Sequence, residues 1–333
     1  MNGSERHVCV KSYAKVNLDL RVLWRREDGY HEIRTLFHTI SLADGMEFCW
    51  QPGRGFQVET QCPGLGIRME ENLAHRAALL VGEAAKLRGR ARIIIKKRIP
   101  AGGGLGGGSS NAASVLLALP VLANKTLPAP VLLELAANLG SDVPFFLMGG
   151  AAIGMGRGDE LYPVADFPPL HGLLAQPGIP VSTAAAYRLL HRPLASQPPE
   201  NKPFAKLVRD FSAPFLSPAS VAAHWNGLHL GRNDFEPAVF REYRELEQWK
   251  RRLLKAGAAH AMMSGSGSTV FGLFATRADF EDARLQFEPN VIYAFRLVSR
   301  ARYQQDWLRR LGPYSHGNLW PPQPPRTAIP SHG

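Results

Sequence analysis

Strand-like and helix-like patterns alternate along the chain, which predicts a mixed helix-and-sheet protein. Three observations carry that reading. Paired extended stretches open the chain, a glycine loop lies between a strand and a helix, and a helix, strand, tight loop and strand follow one another near the end. The 333 residues are 45% hydrophobic and 20% charged, ordinary globular usage that supplies cores for about two domains.

Alternation at Val16, Leu18, Leu20 and Val22 predicts a strand, and the turn signal Asp28-Gly29 leads into a second extended stretch from His31 to Ile40. Asn72 can cap a helix that carries Leu73, Ala77, Leu80, Val81, Ala84 and Leu87 at helical spacing, with Gly89 closing it. A β-rich run from Arg92 to Ile99 stops at Pro100. After the glycine loop, Ser109 or Ser110 is expected to cap a helix bearing Ala112, Ala113, Leu116 and Leu117. Another helix is expected from Pro130 to Gly140, which leaves Ser141-Asp142-Val143-Pro144 as a short connection. Composition shifts after the glycine-containing stretch 149 to 158, so a domain junction is expected near residue 155. Further on, Pro237 opens one long helix running to Ala256. A strand from Ala258 to Met263, a loop from Ser264 to Ser268 and a strand from Val270 to Phe274 follow it. Residues 312 to 333 are rich in Pro and polar residues without periodicity, the pattern of a disordered tail.

The net charge of +11 favours anionic partners, but Lys and Arg are interleaved with acids, as from Arg241 to Lys255. No basic patch interleaved with aromatics and no nucleic-acid motif is present, so nucleic acid is not expected, and a nucleotide substrate would also benefit from the positive field. Cys9, Cys49 and Cys62 are too few and too dispersed for a zinc site or a disulfide framework. No HExxH spacing occurs among the histidines. The absence of a secretory pattern or a bilayer-spanning run predicts a soluble, cytoplasmic protein with no membrane partner.

Gly102 to Ala113 read GGGLGGGSSNAA, and this stretch constrains the chemistry most. Glycines let backbone amides approach an anion, and the following helix start adds unpaired N–H groups and a positive dipole end, a design suited to polyphosphate. A Walker loop would need a Lys before Ser109, and none stands there. Gly102, Gly104 and Gly107 satisfy GxGxxG, but the acidic residue a dinucleotide fold needs about 20 positions later is missing between Leu127 and Pro130. Protein-kinase signatures are also absent.

Pro100 to Ala112 resembles the phosphate loop of the GHMP kinases: Pro, a glycine-rich stretch, Leu, then Gly-Ser-Ser-x-Ala. Further stretches resemble one branch of that family. They are SYAKVNL at 12 to 18, DGYHEI at 28 to 33, ENLAHRAA at 71 to 78, GSDVPFF at 140 to 146, GMGRGDEL at 154 to 161, NDFEP at 233 to 237 and SGSGSTVF at 264 to 271. The resemblance implies a two-domain α+β fold with the active site in the interdomain cleft. Residues 1–155 would form the ATP-binding domain, 156–311 the second domain and 312–333 the tail.

The activity implied is ATP-dependent phosphorylation of the 2-hydroxyl of a cytidine-diphosphate-linked sugar alcohol, a step of non-mevalonate isoprenoid synthesis, with Mg²⁺ accompanying ATP and its ligands unassigned. By the same resemblance Asp142 is the general base and Lys15 its cationic partner. Asn72, Pro100, Gly102, Gly103, Gly104, Leu105, Gly106, Gly107, Gly108, Ser109 and Ser110 would hold ATP. Asn17, Tyr30, His31, Thr183, Tyr187, Gly265, Ser266 and Gly267 would hold the acceptor, with Tyr187 as the second face of a base sandwich. The chain departs from the family at Asn111, where many relatives carry Asp, and at Tyr13, where Pro is frequent. Alternatives at this stage are a GHMP kinase for another small alcohol such as homoserine or mevalonate, or a non-catalytic nucleic-acid-binding protein. Both monomer and homodimer remain open.

Overall fold

The computed structural model describes residues 4–64, 66–192, 194, 231–316 and 319–325. Its scaffold is one long antiparallel pair, β1 (Arg6–Arg25) and β2 (His31–Pro52), joined through the Asp28-Gly29 turn with Gly29 at φ +84°. The strands are longer than the sequence pattern predicts because both faces of their middle are buried, which replaces alternation with a continuous buried run. Their pairing slips between Tyr13 and Ala14, between Asn17 and Asp19, and between Val22 and Arg25.

β3 (Phe56–Gln61), α1 (Leu73–Ala84) and β4 (Gly89–Lys96) follow, with β3 parallel to β4. The Asn72 carboxamide oxygen accepts from the Ala74 amide at 3.0 Å and caps α1. The helix stops at Ala84 without help from Gly89: Lys86 takes the positive φ, and Gly89 opens β4. α2 (Gly107–Leu122), α3 (Ala129–Leu139), α4 (Val143–Met148), β5 (Ala151–Met155) and β6 (Glu160–Pro163) complete the first unit, whose sheet runs β3-β4-β2-β5-β6 with β1 on β2. α2 is buried all round from Ser110 to Leu122, so its sequence lacks the polar face of a surface helix.

The second sheet runs β10-β7-β9-β8, formed by β7 (His171–Ala175), β8 (His260–Met263), β9 (Val270–Phe274) and β10 (Ile292–Arg296). α5 (Thr183–Leu189), α6 (Glu236–Glu242), α7 (Arg244–Lys255), α8 (Arg277–Arg284) and α9 (Arg300–Leu311) accompany it. The single helix expected from Pro237 to Ala256 is two, broken where Tyr243 takes φ −123°, ψ 72°.

The two sheets share a core. Val16, Leu18, Leu36 and Ile40 of the long pair pack with Leu174, Phe271 and Phe295 of the second sheet. Leu20 N donates to Arg232 O at 2.8 Å and Val298 N to Thr39 O at 2.9 Å, so backbone bonds also cross from one unit to the other. α9 returns to the first core through Tyr303, Trp307 and Leu311, and the Tyr13 hydroxyl donates to Asp306 Oδ2 at 2.9 Å. That bond gives Tyr13 a structural role in tying α9 to β1.

The described part of the expected disordered tail is packed, which corrects that expectation. Tyr314 and Trp320 lie against the first core, and Trp320 Nε1 donates to Leu147 O at 2.9 Å. Two half-buried aromatic anchors outweigh a polar, proline-rich composition. Residues 195–230, 317–318 and 326–333 lie outside the described residues.

Candidate active site

The first glycine loop is held from two sides at neighbouring residues, Gly104 and Leu105. Lys15 N donates to Leu105 O at 3.0 Å, tying the loop to β1, and the Ser264 hydroxyl donates to Gly104 O at 3.0 Å, tying it to the second glycine loop. Gly104 has φ +73°, and a Cβ there would lie 2.1 Å from Ser264 O, so the contact between the loops requires glycine.

α2 begins at Gly107, with Gly106 as its N-cap at φ 69° and no side chain capping it, instead of at a Ser109 or Ser110 cap. Glycine reaches the left-handed entry that serine resists, and the first-turn amides of α2 stay without a side-chain partner, as an anion site requires. Ser110 faces inward: its amide bonds Gly106 O and its hydroxyl accepts from Ser12 Oγ at 2.7 Å, with only 1% of the residue exposed.

Two adjoining cavities meet at this loop. One, of about 360 Å³, is lined by Asn72, Lys97, Pro100, Gly102 to Ser109 and Asn111. The other, of about 980 Å³, is lined by Lys15, Asn17, Tyr30, His31, Asp142, Thr183, Tyr187, Gly265 and Ser266, among others. Gly104 and Ser109 border both. Gly267 instead packs on Met263, whose sulfur a Cβ would approach to 2.8 Å.

Lys15 and Asp142 meet in the larger cavity. Their charged atoms are 3.6 Å apart; the Lys15 side chain is 4% exposed and that of Asp142 33%. Asp142 stands at the start of α4, a helix absent from the sequence reading, in which Val143 to Leu147 are buried and anchor it. Burial holds the Lys15 ammonium below its ordinary pKa, and the Asp142 charge opposes that shift. Lys15 Nζ also donates to Asn17 Oδ1 at 2.7 Å and lies 5.3 Å from the Phe37 ring centroid. A strand lysine of this kind is not a solvated surface residue.

At the far end of the cavity the Asp28 carboxylate accepts from the Tyr30 amide at 3.0 Å and shapes the turn that presents Tyr30 and His31. Tyr30 is 53% exposed, and the Arg157 guanidinium lies 4.9 Å from its ring centroid. His31 stacks on Tyr187 at 4.6 Å between centroids and 26° between planes, so Tyr187 meets the His31 ring directly. Phe235 supports Tyr187 edge-on at 4.9 Å. Burial, with Arg25 and Arg192 nearby, lowers the His31 pKa, and burial first, then Asp142, pushes that of Tyr187 up to about 12. Thr183 Oγ1 and Ser266 Oγ share a hydrogen bond of 3.0 Å, joining α5 to the second loop.

Several supporting residues escaped the sequence reading. Asn233 Nδ2 donates to Met263 O at 2.8 Å and to Gly265 O at 2.7 Å, and Glu236 Oε1 accepts from Met263 N at 2.8 Å. The NDFEP motif is therefore the clamp on the second glycine loop. Asp44 is fully buried; it accepts from Lys97 Nζ at 2.5 Å, from Asn111 Nδ2 at 3.0 Å and from the Arg98 and Ile99 amides at 2.8 Å each. It supplies the carboxylate next to Asn111, and a lone Asp in an apolar strand was the available signal.

The cleft thus brings two glycine loops and a Lys–Asp pair together, and the relatives of the chain give its class. Residues 72–150 match the GHMP kinases N terminal domain and residues 218–312 the GHMP kinases C terminal domain. The chain belongs to the GHMP kinase family, and it is a small-molecule kinase of α+β architecture. It is 46% identical over 326 residues to the 4-diphosphocytidyl-2-C-methyl-D-erythritol kinase of Solibacter usitatus, covering 96% of this chain and 98% of that one. It is 44% identical to the Thermus thermophilus enzyme of the same name, over 78% of this chain and 85% of that one. A crystal structure of 4-(cytidine 5'-diphospho)-2C-methyl-D-erythritol kinase superposes with a TM-score of 0.63 at 37% identity, covering 88% of this chain and 99% of that one. Among the described residues no helix is long and apolar enough to cross a membrane.

Proposed function

We propose that the protein transfers the γ-phosphoryl group of ATP to the 2-hydroxyl of 4-diphosphocytidyl-2-C-methyl-D-erythritol, giving the 2-phosphate and ADP in the non-mevalonate pathway. The observation that carries this reading is the Lys15–Asp142 pair, 3.6 Å apart in a cavity that shares Gly104 and Ser109 with the glycine-loop pocket. Phosphoryl transfer needs alignment and charge stabilisation more than covalent chemistry. Open first-turn amides of α2 suit the ATP phosphates, and Asp142 accepts the acceptor hydroxyl's proton. The Lys15 ammonium offsets charge on the oxygens in transfer. Tyr30, His31 and Tyr187 give aromatic faces and a polar edge for cytosine. A base entering beside Tyr187 displaces the His31 ring from it.

ATP fits the smaller pocket as a polyphosphate on backbone amides. Mg²⁺ takes most of its ligands from phosphate and water and needs only one or two protein oxygens, of which the Ser109 hydroxyl can supply one. When bound, the cation withdraws charge from the phosphate oxygens. The N-terminal unit to about residue 155 acts as the ATP-binding domain and the remainder as its partner across the cleft.

The test is ATP turnover with the cytidine-diphosphate sugar alcohol, homoserine and mevalonate offered separately. Turnover confined to the first is expected; turnover confined to either of the others refutes the substrate assignment.

A further inference from the structure

Thr35 lies behind the Lys15–Asp142 pair and is linked to it through Asn17. It is fully buried on β2, and its Oγ1 donates to the backbone carbonyl of Asp19 at 2.7 Å. A carbonyl only accepts, so this bond uses the single Thr35 hydroxyl proton. Toward Asn17, 2.7 Å away, Thr35 Oγ1 can therefore only accept, and the Asn17 amide must present Nδ2 to it. The Asn17 carbonyl oxygen is then left on the opposite side, 2.7 Å from Lys15 Nζ. Reversing the amide would set Nδ2 against the ammonium and Oδ1 against a hydroxyl with no proton left to give. Asn17 is 2% exposed and Lys15 3%, so solvent has little access to repair either clash.

The backbone prepares this chain of bonds. The register slip between Asn17 and Asp19 on β1 brings the Asp19 carbonyl and the Asn17 side chain to the same Thr35 hydroxyl. Gly154, on the neighbouring strand β5, leaves room for the Thr35 methyl group, which a Cβ there would approach to 3.0 Å.

We infer that Thr35 is a positioning residue for phosphoryl transfer: it fixes the orientation of the Asn17 amide, which in turn holds the Lys15 ammonium beside Asp142. The inference rests on the reading of Lys15 as a catalytic ammonium.

The test compares Thr35→Val with Thr35→Ser in the full-length enzyme, with ATP and the cytidine-diphosphate sugar alcohol. Thr35→Val keeps the shape and removes both bonds; kcat falls about tenfold, the scale of one buried hydrogen bond, while both KM values stay within about twofold. With the amide no longer fixed, the Asn17 carbonyl oxygen is held less closely on the ammonium, so the Lys15 pKa drops and the alkaline limb of kcat moves to lower pH. Asp142 is the charged group at Lys15, while Tyr187 and His31 line the same cavity and are unchanged in every variant, so a moved limb reports on Lys15. Thr35→Ser restores most of kcat and returns the limb. If Thr35→Val fails to accumulate, Thr35→Cys, a weak donor of similar size, carries the same comparison and gives an intermediate limb. A limb unmoved in the Val or Cys variant overturns the inference, as does a Ser variant impaired like Val. Lys15→Met separates the two levels: if it retains turnover, the catalytic reading fails; if it is inactive while the Thr35 limb stays put, only the positioning role fails.

Discussion

The Ser264 hydroxyl donates to the Gly104 carbonyl at 3.0 Å, which makes the two glycine loops one structure across the interdomain cleft. Ser264→Ala removes that donor at a cost of ~1 kcal/mol, a factor of about five in an equilibrium. KM for ATP rises by about that factor while the fold is kept. Steady-state kinetics with ATP varied check this; an unchanged KM shows that the loops hold their places independently.

Gly104 and Gly102 both have positive φ, +73° and +69°, but a Cβ on Gly104 meets Ser264 O at 2.1 Å and one on Gly102 meets nothing within 4 Å. Gly102→Ala therefore costs only its backbone conformation, ~1–2 kcal/mol. Gly104→Ala must in addition push the loops apart, so it loses ATP binding more than tenfold. Calorimetric titration with ATP distinguishes them, and equal losses contradict the loop contact.

His38 predicts a pH dependence of stability. It is fully buried, its Nδ1 bonds Thr39 O at 2.9 Å, and burial brings its pKa down to about 4. A folded value below the solution value of 6.5 means that the unfolded chain binds the extra proton. The stabilisation is complete above pH 6.5 and is lost as pH falls toward 4, by ~2 kcal/mol at pH 5. Urea unfolding at pH 7.5 and 5 measures this in wild type and in His38→Leu. The leucine variant should lose that part of the slope, and an identical slope in both refutes the assignment.

Asn111 and Asp44 make a matched pair, with Asn111 Nδ2 3.0 Å from Asp44 Oδ2 and both residues buried. Asn111→Asp sets a second carboxylate against the first and costs on the order of 3 kcal/mol at neutral pH. Adding Asp44→Asn restores one carboxylate beside Lys97 and recovers part of the loss. Thermal melts of the four proteins close the cycle; additive losses show that the two residues do not interact.

Much of this was legible in the sequence because glycine and turn chemistry act locally. The first loop, the Asp28-Gly29 turn, the Asn72 cap and the strand–loop–strand unit at 258 to 274 depend on neighbours along the chain, and the structure has each of them. What stayed hidden depends on contacts distant in sequence. α4 is short and held by Phe145 and Phe146, whose burial contributes about 1.5–3 kcal/mol each, and no local signal outweighs the turn reading of Ser141 to Pro144. Asn233 looks like one more polar loop residue until the carbonyls of Met263 and Gly265 are seen against it. Thr35 and Asp44 are short polar side chains in apolar strands, and their partners are identified only by register.

The central claim is that Asp142, 3.6 Å from Lys15, takes the acceptor's proton during transfer. Its most direct test is the single-turnover rate of phosphoryl transfer to 4-diphosphocytidyl-2-C-methyl-D-erythritol in Asp142→Asn, measured by rapid quench beside ATP affinity. The account predicts a rate lower by roughly 10²–10⁴ with ATP affinity nearly unchanged. A transfer rate close to that of wild type would contradict it.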